Sequence, residues 1–61
     1  MKERSLKEAR LKAGLTQTEL GLLIGKSTQT IRDYEKGAYR ISIEVYELLK
    51  QHIGEFKPTR S

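Results

Sequence analysis

TQTELGLLIGKSTQTIRDYEKG, residues 16–37, is written as two short helices with a tight turn between them. Thr16 followed by Glu19 has the spacing of a reciprocal cap: the hydroxyl accepts from the backbone N–H three residues on, and the carboxylate returns the bond. Leu20 and Ile24 then stand four apart on one face, with Gly21 beside them, and Gly25 ends the helix. Ser27 is placed to cap the next helix. There Ile31 and Tyr34, three apart, face inward, while Thr28, Gln29, Arg32 and Asp33 face out, and Gly37 stops the helix. Two amphipathic helices of this kind, the second polar on its outer side, make a helix-turn-helix, an arrangement suited to the DNA major groove.

The flanks extend the pattern. Ser5-Leu6-Lys7-Glu8 fits a second capping box, and Leu6, Ala9 and Arg10 share a face of the helix it starts. Gly14 is placed to close that helix in a left-handed conformation. Ala38-Tyr39-Arg40 reads as a loop. Ser42 is a cap for a fourth helix reaching about His52, with Ile41 as a staple before it, Val45, Leu48, Leu49 and Ile53 as its core side, and Gly54 as terminator. Residues 1–54 are thus expected to form one all-α helix-turn-helix domain, and residues 55–61 a loose basic tail containing the single proline, Pro58, with Phe56 either covering the end of the core or contributing to a subunit interface.

Composition narrows the function. With 61 residues and no cysteine, the core must come from helix packing alone. A lone histidine builds no metal site, and no nucleophile, base and orienting partner can be assembled, so no cofactor, metal or catalytic activity is expected. The formal charge of +4 favours a polyanionic partner. No apolar run approaches the roughly 20 residues needed to span a bilayer, and the N-terminal stretch lacks the apolar segment of a signal peptide. A cytoplasmic, nucleoid-associated setting is expected.

The outward face of the second helix of the motif has the chemistry for reading base edges. Gln29 can bond adenine through both amide atoms. Thr28 can donate, accept, or place its methyl against thymine. Asp33 can accept from the cytosine amino group, or else pair with Arg32, Lys36 or Arg40. Arg32 can reach either a base or a phosphate. Gln17, in the first turn of the preceding helix, sits where backbone N–H groups and the helix dipole favour a phosphate oxygen. Lys26 in the turn, and Lys36, Tyr39 and Arg40 beyond the reading helix, can hold the DNA backbone on either side. RNA is less well matched, because this face carries no aromatic stacking set.

The run RLKAGLTQTELGLLIGKSTQTIRDYEKG resembles the lambda-repressor-like helix-turn-helix family, the Cro/repressor or Xre type. Arg10, Gly14-Leu15-Thr16-Gln17, Glu19-Leu20, Ile24-Gly25, Ser27, Ile31 and Tyr34-Glu35-Lys36-Gly37 carry the likeness, which extends from about Leu6 to Leu49. It implies a compact bundle of four or five helices that binds operator DNA as a homodimer, most simply a small prophage- or plasmid-type repressor. On this resemblance Thr28, Gln29 and Asp33 are base contacts, and Arg32, from its place on the same face, is expected with them. The resemblance puts Gln17, Thr30, Lys36, Tyr39 and Arg40 at phosphates and makes Arg10 and Glu35 a structural pair; Lys26 and Ser27, from their place in the turn, are expected at phosphates as well.

The chain departs from the family pattern in places. Gly21 replaces the usual alanine, at a cost of roughly 1 kcal/mol in helix propensity. Lys26 stands where an apolar residue is common, and the fifth helix is shortened or absent. Leu22 and Leu23 stand where polar residues are usual: either they fold partly into the core or they form an apolar patch for a second chain. That patch supports an alternative function, a protein-interaction module such as an antirepressor or adaptor built on the same scaffold.

Overall fold

In a computed structural model, which describes residues 4–58, the chain forms four helices: α1 (Leu6–Lys12), α2 (Gln17–Ile24), α3 (Thr28–Lys36) and α4 (Ile43–Ile53). Each starts where a hydroxyl accepts from the backbone three residues on. Ser5 accepts from the Glu8 N–H, Thr16 from Glu19, Ser27 from Thr30 and Ser42 from Val45. Glu8 and Glu19 return the bond, so the first two caps are complete capping boxes. These local bonds satisfy donors that a short helix otherwise leaves to water.

The turn between α2 and α3 is held by Gly25 at φ 71°, a left-handed conformation that costs an L side chain about 1 kcal/mol or more. The Lys26 N–H then donates to the Gly21 carbonyl at 2.8 Å. This closure brings the Lys26 carbonyl oxygen so near α2 that a Cβ on Gly21 would lie 2.5 Å from it. Glycine is therefore required by the tightness of the turn, and its propensity cost is offset by a closer approach than alanine permits.

α2 packs most extensively on α3, and both α1 and α4 lean on this pair or on each other. The core comprises Leu6 and Ala9 of α1, Leu20 and Ile24 of α2, Ile31 and Tyr34 of α3, Val45 and Leu49 of α4, and Phe56. Leu6, Leu20, Ile31 and Leu49 are wholly buried. Each such side chain is worth about 2 kcal/mol relative to exposure. Leu15, Ile41, Tyr46 and Ile53 pack against the cluster from its edges.

Two expectations are corrected. Leu48 is 40% exposed and outside the core. The buried line of α4 runs through Val45 and Leu49, four apart, the helix packs chiefly on α1 and α2, and Leu48 lies off that line. The segment after residue 54, in turn, is not loose throughout: Lys57 is docked, and Phe56 takes the first of its two expected roles, covering the end of the core. The Phe56 ring packs on Tyr46 at a centroid separation of 5.1 Å, and the Tyr46 hydroxyl donates to the Phe56 carbonyl at 3.4 Å. The Lys57 N–H donates to the Arg4 carbonyl at 2.7 Å, forming a single parallel bridge between Ser5 and Lys57. The expected tail residues 59–61 lie outside the described residues. No fifth helix occurs among the described residues; Phe56 closes the end of the core instead.

Phe56→Ala is therefore expected to destabilise the fold by about 3 kcal/mol, as removal of a buried aromatic ring does. Urea unfolding followed by circular dichroism measures it; a midpoint within error of the parent would show that residues beyond 54 contribute nothing to the core.

Candidate nucleic-acid interface

The interface is built on α3. Burial of Ile31 and Tyr34 fixes which way this helix faces, and Gln29, Arg32 and Lys36 stand exposed on the opposite side. Thr28, Thr30 and Asp33 are half-buried along its edges. The docked C-terminal segment lies against Arg4, Ser5 and Tyr46, leaving the outward side of α3 open. Lys26, Ser27, Tyr39 and Arg40 are exposed before and after the helix, and Tyr39 is 61% accessible. A polar, partly basic helix face flanked by cations and hydroxyls can offer donors to base edges and phosphates together.

Beneath this face runs a continuous chain of polar contacts. Arg10 of α1 is 6% exposed, and its Nε donates to Glu35 Oε2 of α3 at 2.6 Å. Both side chains are 7% exposed, so this is a buried ion pair. The Arg10 Nη1 donates to the Leu15 carbonyl at 2.8 Å, which fixes the guanidinium against the start of α2. The other Glu35 oxygen accepts from Gln17 Nε2 at 3.0 Å, and Gln17 Oε1 accepts from Arg32 Nε at 3.2 Å. Three helices and the loop between α1 and α2 are thus linked by four bonds.

Gln17 is the joint between the buried and exposed parts of this chain. One of its amide N–H bonds is used by Glu35, and the other has no partner among the described residues. Smaller ties complete the surface. The Thr18 and Thr28 hydroxyls are 2.9 Å apart across the turn, and those of Ser27 and Thr30 are 3.0 Å apart. Gln29 Nε2 donates to Asp33 Oδ1 at 3.1 Å along α3. Asp33 therefore holds Gln29, rather than the cations Arg32, Lys36 or Arg40 that the sequence suggested. The reason is helical spacing: residues four apart lie one above the other, whereas Arg32 turns towards Gln17 of α2.

Leu22 and Leu23 do not enter the core; they are 77% and 47% exposed. α2 turns Leu20, Gly21 and Ile24 inward, which leaves the two leucines on its outer side. Thr18, as a partner of Thr28, was not legible in the sequence, because the two are ten positions apart and no local periodicity relates them.

An exposed α3, set by a left-handed glycine turn against a preceding helix and flanked by basic residues, defines a DNA-binding helix-turn-helix domain. A family profile described as helix-turn-helix matches residues 6–54, most of the chain, and the chain belongs to this family, of the Cro/C1 type and Xre-like. This is a family of DNA-binding transcription regulators. No match was found among curated proteins or among solved structures. Among the described residues, no helix is long and apolar enough to cross a membrane.

Removing one member of the buried ion pair leaves the other without its counter-charge. Glu35→Ala is expected to cost about 3–5 kcal/mol. That rivals the whole stability expected for a chain of this length, about 0.05–0.15 kcal/mol per residue. Arg10→Met combined with Glu35→Met should recover most of the loss, because the isolated charge is then gone. Urea midpoints of the single and double variants test this; a single variant as stable as the parent would contradict it.

Proposed function

We propose that this protein is a sequence-specific DNA-binding regulator, most simply a small repressor of prophage or plasmid type. It occupies an operator as a homodimer and excludes polymerase. The observation that carries the reading is the open side of α3: Gln29 and Arg32 stand in solvent above a core that fixes the helix's direction. Thr28, Gln29, Arg32 and Asp33 are assigned to base edges in the major groove. Gln17, Lys26, Ser27, Thr30, Lys36, Tyr39 and Arg40 are assigned to phosphates. The protein acts by binding, without catalysis, in the cytoplasm with the nucleoid.

Each assignment fits the surroundings of its residue. Gln29 has one amide hydrogen bonded to Asp33, which restrains the side chain while its remaining amide hydrogen and oxygen can meet adenine. Asp33 then serves both as an acceptor for cytosine and as a brace for Gln29. Lys26 lies before α3, and Lys36 and Arg40 lie at and beyond its end, positions from which cations neutralise the DNA backbone flanking the bases read. Support for a second subunit comes from an apolar groove at the start of α4, lined by Ile41, Ile43, Tyr46 and Pro58, with Ile43 77% exposed. Two copies related by a two-fold axis would present their α3 helices to half-sites about 34 Å apart, one turn of the duplex.

The exposed Leu22 and Leu23 favour a second reading, a protein-interaction module on the same scaffold. Binding to mixed-sequence duplex DNA across a salt series separates the two. A regulator loses affinity steeply as salt rises, by a slope of about 0.9 for each phosphate neutralised. Lys36→Ala and Arg40→Ala are each expected to weaken all sequences alike and to lower that slope by about one. Absence of binding at low salt would select the interaction module.

Selection from a random duplex library tests the base readers. Two half-sites with two-fold symmetry are the expected product. Gln29→Ala should lose about 1–3 kcal/mol on that sequence and relax particular base pairs. An unchanged preference in the variant would remove Gln29 from the reading set.

A further inference from the structure

Arg32 is the only cation on the exposed side of α3 that accepts guidance from another helix among the described residues: its Nε donates to Gln17 Oε1 of α2 at 3.2 Å. We infer that Gln17 is a positioning residue for Arg32, aiming the guanidinium at a guanine, so that a side chain on α2 sets a base preference read from α3. This rests on the DNA-reading function proposed above.

The direction of the Gln17 amide is fixed from below. Its NH2 group faces Glu35 Oε1 at 3.0 Å, and Glu35 is itself held through its other oxygen by the buried Arg10. Reversing the amide would set its carbonyl against the Glu35 carboxylate and its NH2 against the Arg32 guanidinium. Both contacts would then oppose like partners, so only one orientation satisfies the chain. In that orientation the carbonyl is presented to Arg32, and it takes the Nε hydrogen. The two terminal nitrogens of Arg32 have no partner among the described residues, and the side chain is exposed.

A guanidinium held by Nε offers its terminal nitrogens as a planar fork. The groove-facing edge of guanine presents two acceptors at a matching separation, and no other base edge presents two acceptors side by side. An unheld arginine of the same length would sample many rotamers and reach the nearer phosphates equally well. The Gln17 bond thus converts a general cation into a base reader. Gln17 keeps one N–H for a phosphate at the start of α2, so the two roles coexist.

The experiment is a two-residue cycle on the full chain. Gln17→Met keeps side-chain length without either hydrogen bond, and Arg32→Ala removes the reader. Each variant and the double variant are checked for helix content, then bound to the sequence selected by the parent and to every single-base-pair change of it. Arg32→Ala should abolish preference for one G·C pair. Gln17→Met should lower discrimination at that same pair by about tenfold, and should lower it no further when Arg32 is already alanine. Arg32→Lys keeps the charge but loses the fork, so it should flatten preference at this pair while the salt slope stays that of the parent. Should Gln17→Met fold poorly, Gln17→Ala makes the same comparison, since it too removes both hydrogen bonds.

Equal weakening of all sequences by Gln17→Met, with discrimination at the Arg32-dependent pair intact, would overturn the inference and leave Gln17 a phosphate contact alone. So would an Arg32→Ala variant that retains every base preference. A parent that selects no sequence would defeat the regulator reading itself. That failure is distinguishable, because the Arg32 Nε–H resonance of the free protein reports the bond without DNA: it should move in Gln17→Met, and an unmoved resonance would overturn the contact directly.

Discussion

The ion pair between Arg10 and Glu35 is the contact on which the rest of the arrangement depends. It joins the first helix to the end of α3 through side chains that are 7% exposed, and two charges so far from water tolerate few geometries. Hydrophobic burial holds the helices together, but apolar contacts are non-directional and permit small slides and rotations. A buried carboxylate with two donors on its two oxygens does not. The pair therefore contributes to the uniqueness of the helix arrangement more than to its net stability.

From that pair the constraint travels outward. Glu35 orients Gln17, Gln17 orients Arg32, and Leu15 anchors Arg10 to the loop before α2. A domain with this few core residues cannot rigidify its surface by bulk packing. It does so with a polar chain beginning in the interior and ending at the candidate DNA-reading side chain. At the other end of α2, the tight turn at Gly21 and Gly25 holds the helix close to the start of α3.

How far the sequence was legible follows the range of the interactions involved. The helix starts were readable because each cap joins residues three apart. The inward residues of α1, α2 and α3 were readable from spacings of three and four. Leu48 was misplaced because hydropathy records that a residue is apolar, whereas burial depends on which line of the helix meets its neighbours, and on α4 that line runs through Val45 and Leu49. Phe56 was open between a cover for the core and a subunit contact, and Lys57 was read as tail, because their partners, Tyr46 and Arg4, lie in other parts of the chain. In the candidate interface, the exposed positions of α3 were legible and their partners were not: Asp33 was read as a cytosine acceptor or a partner of Arg32, Lys36 or Arg40, and its contact with Gln29 was not foreseen.

By itself, the sequence determined four helix starts, the glycine turn and the identity of the outward face, since all are written in contacts no longer than one helical turn. Only the tertiary structure decided that Gln17 bridges Glu35 and Arg32, that Thr18 meets Thr28, and that the C-terminal segment closes the core. Those pairings join residues ten or more positions apart, whose meeting depends on how the helices cross, and that crossing is set by the whole core at once.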